Sequence, residues 1–174
     1  MKKWLLLTIV LLAGTAAGAQ NRFYAGGDIS LTASSSGTRI VVYPEFGKRV
    51  NDNLYVGLAA GGGYSTYGGH SDFTLGLTPH VRGYWYFLQD LGLSGDLFAS
   101  FRATRRRGYE PLIKTFETGI RPGVVFPVGG GTCITAQVGF FGWSRTDYGD
   151  GNPSSRWLAR VEARDIIIGV LLSL

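Results

Sequence analysis

From Arg22 onward the side chains alternate with a period of two, apolar against polar or small, through eight successive segments. That period belongs to extended chain with two unlike faces and not to helix. In the first segment Phe23, Ala25, Ile29 and Leu31 oppose Tyr24, Gly26, Asp28 and Ser30. The second sets Ile40, Val42 and Phe46 against Val41, Tyr43 and Glu45, and the third Leu54, Val56 and Leu58 against Tyr55, Gly57 and Ala59. The fourth is the longest: Phe73, Leu75, Leu77, Val81 and Trp85 face away from Thr74, Thr78, His80, Arg82 and Tyr84. The fifth opposes Leu93, Leu97 and Phe101 to Ser94, Asp96 and Arg102, and the sixth opposes Phe116, Ile120 and Val124 to Glu117, Arg121 and Gly123. In the seventh, strict alternation carries Ile134, Ala136 and Val138 on to Phe140, opposite Thr135, Gln137 and Gly139. The eighth, from about Trp157, ends with Ile166, Ile168, Val170, Leu172 and Leu174 on one face, a phase that would put Arg160, Glu162 and Arg164 on the apolar side. Either that strand rises above an apolar layer there, or a bulge resets it.

The first nineteen residues are different. Lys2 and Lys3 precede an apolar run from Trp4 to Ala13, and Ala17-Gly18-Ala19 precedes Gln20. Charge, a short apolar run and small residues make a secretory signal peptide, so residues 1–19 are expected to be removed and residues 20–174 to form one domain. The net charge of +5 falls to +3 without the two leader lysines. Cys133 is the single cysteine, so no disulfide can brace this exported domain. Beyond the leader no apolar stretch approaches the ~20 residues of a spanning helix. If the chain enters a membrane, it enters as a barrel.

Two further features bear on the choice between a membrane barrel and a soluble one. The charged residues Asp28, Glu45, Arg82, Asp96, Arg102, Glu117 and Arg121 share the polar face. In a membrane barrel that face is the lumen, where both signs of charge can pair in one network, whereas a soluble ligand-binding barrel would turn its Phe, Leu and Val inward. The connections also alternate. Residues 51–53, 88–90 and 127–132 are short turns, while 34–38, 65–72, 105–111 and 145–155 are longer and polar. Short turns on one rim and long loops on the other, with Phe23, Trp85, Phe87 and Phe126 near strand ends, describe an eight-stranded antiparallel up-and-down transmembrane β-barrel with periplasmic termini and outer loops. Pro44, Pro79 and Pro122 are at odds with a closed ladder, because each removes a donor, and each is expected to mark a bulge or an open stretch.

Tyr43-Pro44-Glu45-Phe46-Gly47, followed by Asn51-Asp52-Asn53-Leu54-Tyr55-Val56-Gly57-Leu58, resembles the S-P-x-x-G-Y-F…D-N-L-x-x-G-L run of the outer membrane protein β-barrel domain family. The stretch from Thr78-Pro79 to Tyr86-Phe87 looks like a second copy, and Arg121-Pro122-Gly123-Val124-Val125-Phe126 like a third. The resemblance spans nearly all of the exported part and implies a small OmpX/OmpA-like barrel of the bacterial outer membrane, inserted by the barrel-insertion machinery. It implies no activity. Two positions depart from the pattern: Lys48 and Arg49 stand where an aromatic is usual, and the chain ends on Leu174 where such barrels commonly carry an aromatic.

Chemistry is thinly represented. His70 and His80 are the two histidines, and neighbours such as His70, Ser71 and Asp72 point in different directions and form no relay. No nucleotide or phosphate-cradling fingerprint appears, and the Asp147 to Asn152 stretch lacks the closing Glu of a calcium loop. No catalytic residue, metal site or cofactor is therefore expected, nor a nucleic-acid partner. Arg105-Arg106-Arg107 is the one dense charge run. It is either a solvated outer loop or a contact for anionic lipid headgroups, since guanidinium matches phosphate. The expected function is structural or surface interaction by a plugged, monomeric barrel through its outer loops. A narrow channel and a soluble secreted ligand-binding barrel are the alternatives.

Overall fold

The computed structural model describes residues 22–35, 37–160 and 166–173, so the proposed leader and residues 161–165 lie outside the described residues. Ten β-segments follow one another: β1 (Arg22–Ser34), β2 (Gly37–Asn51), β3 (Leu54–Tyr67), β4 (His70–Leu88), β5 (Leu91–Arg106), β6 (Ile113–Gly129), β7 (Thr132–Val138), β8 (Phe140–Asp147), β9 (Ser154–Arg160) and β10 (Ile166–Ser173). Each of β1 to β5 pairs antiparallel with its successor. β6 pairs with β7 along its lower part and with β8 along its upper part, so these two form one barrel strand. β9 and β10 form the eighth, pairing with β8 and β7 respectively. β10 returns to β1, Tyr24 opposite Ser173 and Ile29 opposite Ile168, which closes an eight-stranded barrel. None of the described residues forms a helix long and apolar enough to cross a membrane.

The side-chain phases invert a soluble core. Leu31, Leu75, Leu97, Phe101 and Ile120 are exposed on the outer wall, whereas Arg82, Asp96, Gln137 and Thr135 are buried inside. The seventh strand departs from strict alternation. Cys133, Thr135 and Gln137 face the lumen, but so do Phe140, Gly142 and Ser144, and Phe141 faces out. The phase flips at Gly139, whose φ of 74° is a left-handed conformation that a residue with Cβ adopts only at a cost. Register shows the same extra residue, since Ile120 faces Phe141 while Gly123 faces Gln137. This is a β-bulge, and it corrects the outward placement of Phe140. In the eighth strand Trp157 faces out at an odd position while Ile166, Ile168 and Val170 face out at even ones. The phase changes between them, where residues 161–165 lie outside those described.

Each strand proline sits beside a gap in one ladder. Pro44 opposes Gly27 of β1, but the β2–β3 ladder passes from Val42 to Glu45 with no pair at Tyr43 or Pro44. Pro79 opposes Leu58 of β3, and the β4–β5 ladder skips Thr78 and Pro79 without changing register. Thr78 Oγ1 donates to Ser100 Oγ at 3.0 Å across that gap, a side-chain link where the backbone ladder is open. Pro122 opposes Gly95 and lies at the Gly139 bulge. The ring tolerates three missing donors because each leaves only one side of its strand unpaired.

The connections correct another expectation. At the turn rim, residues 52–53, 89–90 and 130–131 join the strands. At the opposite rim, Ser34 already lies opposite Gly37 and Gly68-Gly69 is an equally short turn, the two glycines taking φ of 55° and 81°. Residues assigned to loops at 34–38 and 65–72 mostly continue the ladders instead, with Thr38 opposite Thr66 and Ser65 opposite Asp72. Among the described residues, 107–112 and 148–153 are the open loops. Polar residues in alternation can extend a hairpin above an apolar layer, and two positive-φ glycines make the tight turn that ends it.

Candidate functional site

The lumen is built in three layers. At the turn rim Tyr24, Tyr55 and Tyr84, from β1, β3 and β4, pack edge to face and tilted, with ring centroids 5.5 and 5.0 Å apart, and Val125, Cys133 and Leu171 complete a buried plug. Arg49 covers the plug from the rim, its guanidinium 5.9 Å from the Tyr55 ring centre and 2.7 Å from Asp52. This basic residue thus lies over a ring of the plug.

Above the plug is Arg82, 1% exposed. Its Nε and Nη2 donate to Asp96 at 2.7 and 2.9 Å, and its Nη1 and Nη2 to Glu45 at 3.0 and 3.3 Å. One planar guanidinium therefore bridges two carboxylates from different strands, a geometry that Lys cannot reproduce. Asp96 also accepts from Gln137 Nε2 at 2.7 Å. His80 sits alongside, with Nδ1 3.4 Å from the Thr78 carbonyl oxygen and Nε2 3.0 Å from the Tyr24 hydroxyl. Nε2 also lies 3.5 Å from a Glu45 carboxylate oxygen, so the imidazole links Tyr24 to the Arg82 layer. Gly57 makes room for this contact: a Cβ there would collide with the Tyr24 hydroxyl and lie 3.0 Å from His80 Nε2.

The third layer is a polar cavity of about 290 Å³ rising from Arg82 toward Thr74, Thr104 and Thr115. Arg102 pairs with Glu117, which also accepts from Ser144 Oγ at 3.4 Å. Arg121 has no carboxylate within 4 Å among the described residues and lies 4.1 Å over the Phe98 ring instead. Asp28 stands 3.9 Å from Arg82, and its Oδ1 has no hydrogen-bonding partner among the described residues. The seven charges assigned to the lumen from the sequence thus divide, and Arg39 lines the cavity besides. Arg82 is joined to Glu45 and Asp96, with Asp28 at the margin, Arg102 is joined to Glu117, and Arg121 stands on an aromatic face. Period-two alternation gives the side each residue faces but not its height around a tilted barrel. For that reason it does not single out Gln137 or Tyr24 as members of the layer.

The arginine run does not act as a unit. Arg105 faces outward opposite Phe73, Arg106 makes two 2.9 Å hydrogen bonds to Asp72, and the Arg107 backbone N–H donates to the Ser71 carbonyl. In the 148–153 loop Asp147 and Asp150 accept from the backbone N–H groups of Gly149 and Asn152, so each carboxylate braces its own loop. Among the described residues no group of three His, Cys, Asp or Glu side chains could hold a metal ion.

No protein-family model matches the sequence, and no curated protein matches it either. Solved structures do. The crystal structure of Neisserial surface protein A is similar over 88% of this chain and 97% of its own, with a TM-score of 0.53 and 11% identity. The fold is that of a small outer-membrane β-barrel. Weaker likeness extends to the N-terminal β-barrel domain of Pseudomonas aeruginosa OprF (89% and 98% covered, 10% identity, TM-score 0.44) and to a major outer membrane protein of Thermus thermophilus (90% and 100%, 12%, 0.41). At such identities the likeness concerns the barrel and nothing finer.

Proposed function

We propose that the chain is an integral protein of a bacterial outer membrane, monomeric, with its lumen plugged and its outer loops as the working surface. It acts as a structural or surface-interaction protein, not as an enzyme. The observation that carries the reading is the inversion of polarity: Leu31 is 67% exposed and Trp157 75%, while Arg82 and Asp96 are 1% exposed. Water solvates charge and rejects hydrocarbon, so this arrangement suits a barrel surrounded by lipid acyl chains. Phe73 and Trp85 on β4 are separated by about 30 Å of barrel height at a rise of ~3.3 Å per residue and a tilt of about 40°, close to the apolar band of such barrels. The even strand count puts both ends of the barrel sequence on the turn side, which this reading makes periplasmic. Insertion by the barrel machinery follows from it.

The tyrosine plug and the Arg82 layer speak against conduction, because eight strands leave an interior that side chains fill. Reconstituted in planar bilayers, the protein is expected to give no unitary conductance. Stable ion-selective steps that vanish when Arg82 is replaced would overturn the plugged reading in favour of a narrow channel. Contact with lipid headgroups at Arg105, Arg106 and Arg107 is part of the proposal, with Arg105 best disposed because it faces outward.

A further inference from the structure

The outer wall has a feature that uniform contact with lipid does not require. Across β4, β5, β6 and β8 the outward side chains form rows: Leu75, Ala103, Lys114 and Asp147 in one, then Leu77, Phe101, Phe116 and Arg145 in the next. Ala103 is small between large neighbours, and the wall there is indented by a groove of about 560 Å³, walled by Leu75, Leu77, Phe101 and Phe116. Lys114 and Arg145 border it, and neither makes an ion pair or side-chain hydrogen bond among the described residues. Asp147, on the same border, has its Oδ1 engaged by the Gly149 N–H at 2.8 Å. Arg105 stands one row above Ala103, opposite Phe73. Lys114 and Arg105 thus lie on the loop side of a hydrocarbon groove and Arg145 flanks it in the Phe101 row, three cations against one engaged carboxylate.

We propose that this groove holds one phosphorylated anionic lipid of the loop-side leaflet, its acyl chain against Leu75, Leu77, Phe101 and Phe116 and its phosphate on Lys114 and Arg145. The proposal rests on the membrane reading above and names the lipid class and residues for it. Acyl chains fit because the groove is apolar and lies within the outward band. A phosphate fits because long basic side chains at the band's edge reach toward the headgroup level along their own methylenes, and Arg offers phosphate two parallel donors. Trp143, opposite Thr118 and one row below Arg145, is an aromatic of the kind that marks that level.

The test is native mass spectrometry of the protein taken from vesicles holding equal amounts of a phosphatidylglycerol and a phosphatidylcholine with identical acyl chains. The native chain is expected to retain one phosphatidylglycerol, preferred by about tenfold or more, as two cations at a membrane surface predict. Lys114→Gln with Arg145→Gln should abolish the preference. Lys48→Gln, on the opposite rim, should leave it. Ala103→Phe fills the groove with the charges intact and should reduce retention of both lipids. Equal retention of the two lipids by the native chain overturns the proposal, as does a double variant that keeps the preference. A lipid-free dimer shielding the groove from a labelling reagent would assign the groove to a second copy and likewise overturn it. Vesicle flotation reads insertion separately. A chain that does not float fails the membrane reading itself, whereas one that floats without lipid preference fails only this proposal. A heat-dependent gel shift, required of every variant, confirms that each barrel is folded.

Discussion

Arg82 is the residue on which the lumen depends. Two carboxylates from different strands meet on its guanidinium, and both are buried with it. Taking it away leaves two charges without water and without a partner, so Arg82→Gln should destabilise the barrel by about 3–5 kcal/mol. Urea unfolding in micelles measures this, and a loss under 1 kcal/mol would mean that water replaces the arginine freely. Arg82→Lys keeps the charge but loses the forked contact, and should fall between the two. Gly57 gives a second, steric prediction. Gly57→Ala should cost on the order of 1–3 kcal/mol because the new methyl meets the Tyr24 hydroxyl. Adding Tyr24→Phe removes the colliding atom and should recover part of that loss. A strictly additive double variant would show that the crowding lies elsewhere.

At the scale of the strand, period two holds from β1 to β6, and its break in the seventh strand has a visible cause. Gly139 inserts one residue opposite Pro122, where the ladder is already open, and so turns Phe140 inward to meet Phe98 at 5.6 Å. Gly139→Ala should cost about 1–2 kcal/mol, the penalty of a left-handed conformation for a residue with Cβ. The same change at Ala-sized outward positions has no counterpart strain. The two faces should also differ sharply in their tolerance of charge. Leu97→Arg or Val124→Arg puts a cation on the outer wall and should cost roughly 2–4 kcal/mol near mid-membrane. Thr104→Arg adds one beside the polar cavity and should refold into lipid vesicles with much smaller loss. Equal refolding yields from both faces would contradict the orientation of every strand.

At the scale of the molecule, one end of the barrel is filled with packed tyrosines and the other with a polar cavity. Long hairpins, not long loops, carry most of the chain beyond the apolar band: β2 has 15 residues, β3 14 and β4 19. The proposed surface role therefore falls on hairpin walls as much as on the 107–112 and 148–153 loops. Tyr84→Ala opens the plug without touching a charge. If the plug and the Arg82 layer both block the lumen, this variant should still give no unitary conductance, whereas Tyr84→Ala with Arg82→Ala should raise vesicle permeability to small ions. Leakage from the native chain would place the barrier elsewhere.

The sequence by itself determined strand number, the inward and outward faces of all strands but the last two, and the presence of charge in the interior, because a strand repeats every two residues and hydrocarbon and charge separate onto opposite faces. It also flagged the three prolines, since a missing donor is a property of the residue alone. Which charges meet was decided only in three dimensions. Strands cross the barrel at a tilt, so Glu45, Arg82, Asp96 and Gln137 share a level through register, and register is not written in any one segment. The same holds for Arg121, which stacks on Phe98 although a carboxylate lies opposite it in the next strand. The groove beside Lys114 and Arg145 likewise exists only because Ala103 falls between Leu75 and Lys114 when β4, β5 and β6 are laid side by side.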